Sequence, residues 1–314
     1  MYTEPSKENW YGRIDSNTDP LSFRFHQRVN LKGLPSVTAN EKTFGIIGFK
    51  CDAGVNRNKG RIGAAEAPDK IRQALAKLPC HLSDQTEVLD AGDVHCEGDQ
   101  MEEAQSNLGE AVAYLLNKGV IPIILGGGHE TFYGHYLGAR QSIGPNANLG
   151  IINIDAHFDL RSYEEQSSSG TMFKQILDND PQCGYFCAGI QKSGNTMALF
   201  ATAKQYNVDY ILEEEMTISD VERVREQIDH FINKYDHVIL TLCTDAINSA
   251  YAPGVSAPSP FGLEPKVVRY LVRHIVSNDK TLSFDISEVN PTVDENNKTV
   301  ALAAQLVNEA IINF

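Results

Sequence analysis

The chain has 314 residues, 42% hydrophobic and 22% charged, the composition of a globular protein with a substantial core rather than a disordered or fibrous one. Its formal net charge of −14 argues against nucleic acid or an anionic membrane as the main partner. No apolar run approaches the roughly 20 residues of a membrane helix, the opening MYTEPSKENWYGRIDSNTDP has no signal-peptide core, and the six cysteines form no C-x-x-C pair, which reads as reduced thiols in the cytoplasm.

Residues 1–40 read as an N-terminal segment that packs on a single α/β domain formed by 41–314. From there, short apolar runs alternate with longer amphipathic ones. Strands are expected at 44–49 (FGIIGF), 86–94 (TEVLDAGDV), 120–127 (VIPIILGG) and 149–157 (LGIINIDAH). Four more follow at 184–190 (GYFCAGI), 208–214 (VDYILEE), 237–245 (HVILTLCTD) and 282–289 (LSFDISEV). Helices are expected between them, among them 99–119 and 218–235; in the second, Ser219 and Glu222 have capping-box spacing. Near-continuous apolar strands imply burial on both faces, hence a parallel sheet between helices. Periodicity alone leaves open whether that sheet is open or closes into a (β/α)₈ barrel.

In either architecture the C-terminal ends of parallel strands share one rim, and there the polar residues collect. In NIDAHFDLR, Asp155, His157 and Asp159 fall at i, i+2 and i+4, which on an extended chain aims all three side chains the same way. Two carboxylates and an imidazole converging on one point attract a divalent cation. In LGGGHETFYG the glycines allow a tight turn that brings His129 to the rim, without the lysine or the spacing of a phosphate loop. Cys243 and Asp245 end a third strand, and Asp285 and Glu288 a fourth. Any one of these exits reads as a solvated strand end; together they indicate a metal site.

The motifs GGGHE, DAHFD, CTDAINSAYAPGVSAP and SEVNP, in that order, resemble the ureohydrolase superfamily of arginase, agmatinase and formimidoylglutamase. SSGTMFKQIL, NWYGRID and NKGRIGAAEAPDKIR bring the resemblance nearest to its formimidoylglutamase members. The resemblance implies a three-layer α/β/α fold around an open, eight-stranded, mostly parallel sheet. It also implies a pair of Mn²⁺ ions held by His129, Asp155, His157, Asp159, Cys243 and Asp245, with Asp155 bridging. Cys243 departs from the family, which carries an aspartate there, and Thr241 takes the place of the motif's serine. A thiolate is a softer donor offering one atom instead of two, so a weakened second ion is expected.

The implied activity is hydrolysis of N-formimidoyl-L-glutamate to L-glutamate and formamide by metal-bound hydroxide. Asp159 would relay a proton to the departing amine and Glu288 would hold the cationic formimidoyl group. Arg57, Lys59, Arg61 and Arg161 are the candidates for the substrate carboxylates. The mobile histidine of arginase falls at Phe173, which counts against arginase activity. A related amidinohydrolase and a metal-impaired, non-catalytic relative are the alternatives, and a homo-oligomer is the superfamily's usual state.

Overall fold

Apolar runs that alternate between two buried faces build the strands of a single open sheet. The computed structural model describes residues 1–39 and 42–314, so the expected boundary between residues 40 and 41 lies outside the described residues. The strands are β1 (Tyr2–Thr3), β2 (Val29–Leu31), β3 (Lys42–Lys50), β4 (Thr86–His95), β5 (Val120–Leu125), β6 (Leu149–Ile154), β7 (Cys183–Ile190), β8 (Asp209–Leu212), β9 (His237–Cys243) and β10 (Thr281–Ser287). Their order is β1-β4-β3-β5-β10-β9-β6-β7-β8, with β2 also pairing on β4. The eight strands β3 to β10 are mutually parallel, while the two-residue β1 runs antiparallel to β4. The linear order makes the sheet open and excludes the barrel. Two short strands from the N-terminal segment extend it beyond the expected eight.

Neighbouring side chains on each strand enter opposite cores, as a pleat of period two requires. Ile46, Ile123, Ile152 and Leu240 join the face covered by helices Ala67–Leu75, Val221–Ile232, Pro265–Val276 and Lys298–Asn313. Ile47 and Ile124 face helix Met101–Asn117, and Ile151 and Ile239 face helices Thr131–Ile143 and Met172–Asn179. The result is three layers. No helix among the described residues is long and apolar enough to cross a membrane.

Element ends depart from the sequence reading in three instructive places. β6 stops at Ile154, before the residues expected to extend it to His157, and β8 stops at Leu212 as Glu213–Glu215 turn into a 3₁₀ helix. The helix expected from 218 starts at Val221 with Asp220 rather than Ser219 at its cap position. Thr217 explains the shift: its backbone N–H donates to the Asp220 carboxylate at 3.2 Å, and its hydroxyl lies 2.6 Å from that of Ser219.

The chain fills the middle of the sheet last. After β5 it skips two places and lays down β6, β7 and β8; β9 and β10 later occupy the gap. The reversal of winding therefore lies among four adjacent strands, β5, β10, β9 and β6, where doubly wound sheets open a crevice.

One buried ion network fixes the far half of the sheet to the N-terminal segment. Arg72, 1% exposed, donates to Asp93 at 2.6 Å, to Asp90 at 2.9 Å and to the Gly92 carbonyl at 2.8 Å. The other Asp90 oxygen accepts the indole N–H of Trp10 at 2.7 Å. Removing a single partner from such a cluster strands charge away from water, at a cost of about 3–5 kcal/mol. Arg72→Leu is expected to lose stability on that scale in urea denaturation; a loss under about 1 kcal/mol would mean the aspartates are satisfied without it.

Candidate metal centre

The rim of the four central strands is built by turns that only small residues allow. β5 runs into Gly126–Gly128; a Cβ on Gly127 would lie 1.8 Å from the Cys51 carbonyl oxygen, so this position requires glycine. The Gly128 N–H donates to that same carbonyl at 2.9 Å, which locks the turn against the end of β3. His129 then sits at the rim, its backbone N–H donating to Glu288 Oε1 at 2.9 Å, while the Glu288 N–H donates to the Gly127 carbonyl at 2.8 Å.

The side chains converge. His129 Nδ1 lies 3.1 Å from Asp155 Oδ2 and 3.0 Å from Asp159 Oδ2. His157 Nδ1 lies 3.2 Å from Asp245 Oδ2 and 3.6 Å from Asp155 Oδ1. Two sets of three donors each fall within 4.8 Å of one another: His129, Asp155 and Cys243, and Asp155, His157 and Asp245. Asp155 belongs to both, one oxygen toward each histidine. It is fully buried, and Asn153 donates to its Oδ2 at 3.0 Å and the His157 N–H to its Oδ1 at 2.9 Å.

The electrostatics are those of a pocket short of positive charge. Burial works against a charged His129, but Asp155 and Asp159 outweigh it and raise its pKa well above the usual imidazole value. Asp245 and Asp155 do the same for His157. Asp155 is held far below the carboxylate range by the two histidines despite its burial. Its neighbours move the other way: burial and the charge of Asp155 raise Asp159, and also Asp245 in spite of His157. Burial, with Asp245 and Glu130, pushes Glu288 up to about 8. Burial, then Asp155, Asp245 and Glu288, holds the Cys243 thiol well above its ordinary value. Asp245 Oδ1 is buried without a hydrogen-bond partner. An orphaned carboxylate oxygen among mutually repelling acids, with imidazoles alongside, suits a divalent cation with mixed oxygen and nitrogen ligands.

Backbone strain marks the same place. Among the described residues, six other than glycine have positive φ; three are asparagines, which tolerate it, and the others are Lys59 (61°), Asp159 (50°) and Glu288 (68°). All three line one cavity of about 270 Å³, together with His129, His157, Cys243 and Asp245. Left-handed backbone at such residues costs roughly 1–3 kcal/mol each and concentrates at functional sites. It also explains how Asp159 reaches His129: the chain leaves the strand conformation after Ile154, so the 155, 157, 159 convergence comes from a strained turn rather than from strand alternation.

Of the cations expected at the site, two arrive and two do not. Lys59 and Arg161 are exposed at the cavity mouth, beside Asn58, Ser169 and Asn195, and their side chains have no hydrogen bond or ion pair among the described residues. Arg57 instead pairs with Asp99 at 2.8 Å and Glu102 at 2.6 Å, because the acidic start of helix Met101–Asn117 lies against it. Arg61 folds back onto the Val255 and Ser256 carbonyls. Phe173 is buried behind His129, stacked on Tyr185 at 4.2 Å and edge-on to His129 at 5.7 Å, and does not line the cavity.

Glu130 escaped the sequence analysis, whereas Asp285, expected there among the strand exits, is buried and does not line the cavity. Glu130 is fully buried, accepts the Gly54 N–H at 2.8 Å and is raised to about 7, chiefly by burial; it ties the Ala53–Arg57 helix, and the mouth residues after it, to the His129 turn. Asp285 points inside the sheet, away from the cavity that Glu288 lines. A glutamate directly after the histidine of a glycine turn was the available signal for Glu130.

Known proteins resemble the chain along its whole length. The arginase family model matches residues 42–313. A formimidoylglutamase of Geobacillus sp. (strain WCH70) is 55% identical over 315 residues, covering 100% of this chain and 97% of its own. One from Staphylococcus aureus (strain MRSA252) is 41% identical over 310 residues, covering 98% and 99%. The crystal structure of formimidoylglutamase from Bacillus subtilis superposes with a TM-score of 0.80 at 22% identity, covering 96% of this chain and 95% of that one. Trypanosoma cruzi formiminoglutamase, solved with Mn²⁺, gives 0.77 at 22%, covering 90% and 98%. At that identity the two structures speak for the fold alone.

A divalent cation added to the metal-free protein is expected to raise its melting temperature. The gain is about 2.7 kcal/mol at a hundredfold excess over Kd. Asp155→Ala, which removes the shared donor, should abolish the response in calorimetric melts. A wild-type protein whose melt ignores divalent cations would mean the cluster is not a metal centre.

Proposed function

The chain belongs to the arginase family, and we propose that it hydrolyses N-formimidoyl-L-glutamate to L-glutamate and formamide with manganese as cofactor. The observation that carries the substrate is the pair of cations, Lys59 and Arg161, unpaired among the described residues at the mouth of an otherwise acidic cavity. A substrate with a carboxylate end and a cationic amidine end fits that polarity, carboxylates outward and amidine inward. The curated relatives named formimidoylglutamase, at 41–55% identity over nearly the full chain, support the same substrate. The acidic floor suits agmatine's guanidinium, but its cationic tail would meet Lys59 and Arg161 with like charge.

His129, Asp155 and Cys243 would hold one manganese ion and Asp155, His157 and Asp245 the other, Asp159 adding an oxygen next to His129. Bound there, the ions supply the Lewis acidity that makes water nucleophilic at neutral pH. The rest falls to the protein. Arg161 and Lys59 orient the glutamate carboxylates. Glu288, which burial raises to about 8 in the cation-free pocket, would accept the N–H groups of the cationic amidine as a carboxylate. A water oxygen bonds to the amidine carbon and the bond from that carbon to the glutamate nitrogen breaks. Asp159, whose carboxyl burial and Asp155 raise, would carry the proton to the departing nitrogen. The six cysteines, all free, suit a cytoplasmic enzyme.

Cys243 distinguishes the two metal positions. Its thiol stays protonated in the metal-free site, so an ion beside it must displace a proton and accept a softer donor. The weaker ion is the one next to His129. Cys243→Asp is therefore expected to raise bound manganese and turnover at limiting metal, measured by metal analysis and rate; unchanged values would mean the thiol ligates as well as a carboxylate.

The decisive assay is glutamate release from N-formimidoyl-L-glutamate by protein loaded with Mn²⁺, against agmatine as competitor substrate. Turnover with the first and none with the second is expected; the reverse would sink the assignment. Arg161→Ala should raise KM about tenfold or more with a smaller change in kcat, the pattern of lost ground-state binding.

A further inference from the structure

Behind the metal centre, a string of fully buried polar side chains crosses three elements and ends on the ring of His129. Thr241 and Asp285 are register partners on β9 and β10. The Thr241 hydroxyl donates to Asp285 Oδ1 at 2.8 Å, where the Ser287 hydroxyl also donates at 3.0 Å. Asp285 Oδ2 lies 2.7 Å from Nδ1 of His135, on helix Thr131–Ile143, and the other nitrogen of His135 meets the Ser283 hydroxyl. On the opposite side Thr241 Oγ1 lies 3.1 Å from His129 Nε2. Thr241, Asp285, His135, Ser283 and Ser287 are all 0% exposed, so no water substitutes for any of these bonds.

We propose that Thr241, Asp285 and His135 are positioning residues that hold the His129 ring in the one tautomer able to bind a metal ion through Nδ1. The inference rests on the reading of His129 as a ligand and adds what prepares it. A carboxylate only accepts, so the single hydroxyl hydrogen of Thr241 is committed to Asp285. Thr241 Oγ1 can then only accept from His129, which places the ring hydrogen on Nε2. Once an ion takes the place of the proton that Nδ1 shares with Asp155 and Asp159, the hydrogen on Nε2 is the one the ring keeps, and Thr241 accepts it. Without the string, the opposite tautomer would donate from Nδ1 to those carboxylates and compete with the ion. His135 keeps Asp285 from rotating by occupying its second oxygen. Residues that orient a ligand in this way are worth 10–100-fold in metal affinity.

The test is Mn²⁺ affinity by titration calorimetry on metal-free protein, with thermal melts beside it. Thr241→Val keeps the shape and loses the hydroxyl; its affinity is expected to fall tenfold or more, while turnover recovers at excess metal. Thr241→Ser restores the hydroxyl and should bind within threefold of wild type. His135→Asn, which keeps a donor toward Asp285, should bind more tightly than His135→Leu. Thr241→Val with wild-type affinity would overturn the proposal. A wild-type protein that takes up no Mn²⁺ would remove the metal reading and this proposal with it. A readout free of folding concerns is the histidine ¹⁵N spectrum of the wild-type protein loaded with diamagnetic Zn²⁺, with His129 assigned by loss of its signal in His129→Gln. Hydrogen on Nε2 is expected; hydrogen on Nδ1 would overturn the proposal without any variant at Thr241.

Discussion

Four carboxyl groups and a thiol share one water-poor pocket with only two imidazoles, and that imbalance governs the region. Asp155, Asp159, Asp245 and Glu288 cannot all ionise against one another without added positive charge. In its absence the histidines retain protons, Asp155 takes nearly all of the compensation, and the other acids rise. Every nearby device points the same way. The glycine turn brings His129 within reach, the left-handed backbone at Asp159 and Glu288 turns two more acids inward, and among the described residues no lysine or arginine joins the histidines on the floor. A protein that selects for stability alone would not gather such groups; a protein that must hold cations would.

Much of this was legible in the chain because strand exits in a parallel sheet are forced to one rim. Once β5, β6, β9 and β10 are recognised as strands, His129, Asp155, Cys243, Asp245 and Glu288 must lie on the same side of the molecule. What the residues could not give by themselves was adjacency. Nothing in the sequence says that the last two strands lie between β5 and β6, and that placement turns four exits on a rim into one pocket.

Local conformation and the fate of long side chains were less legible. The i, i+2, i+4 argument named residues that do converge, but for an incorrect reason, because the strand ends at Ile154 and Asp159 arrives through a left-handed turn. Arg57 has the right neighbours in sequence to meet a carboxylate ligand but meets Asp99 and Glu102 instead. A guanidinium on a flexible stem goes to the nearest desolvated acid, and sequence distance does not say which acid that is. His135 was invisible for a related reason: a buried histidine in an apolar helix has no periodic signature, only a partner on another element.

The placement of β9 and β10 also orders the birth of the molecule. A chain emerging from its N-terminus completes β3, β4 and β5, then β6, β7 and β8, as two blocks with no strand between them. Until residues beyond 237 arrive, the inner edges of β5 and β6 present unpaired, mostly apolar parallel strands, the kind of edge that recruits foreign partners. The residues that carry charge toward the metal are thus split across a seam closed last, by contacts of long sequence separation that form slowly. Catalytic competence and escape from aggregation become a single late event in folding, the insertion of one hydrogen-bonded strand pair into the middle of the sheet.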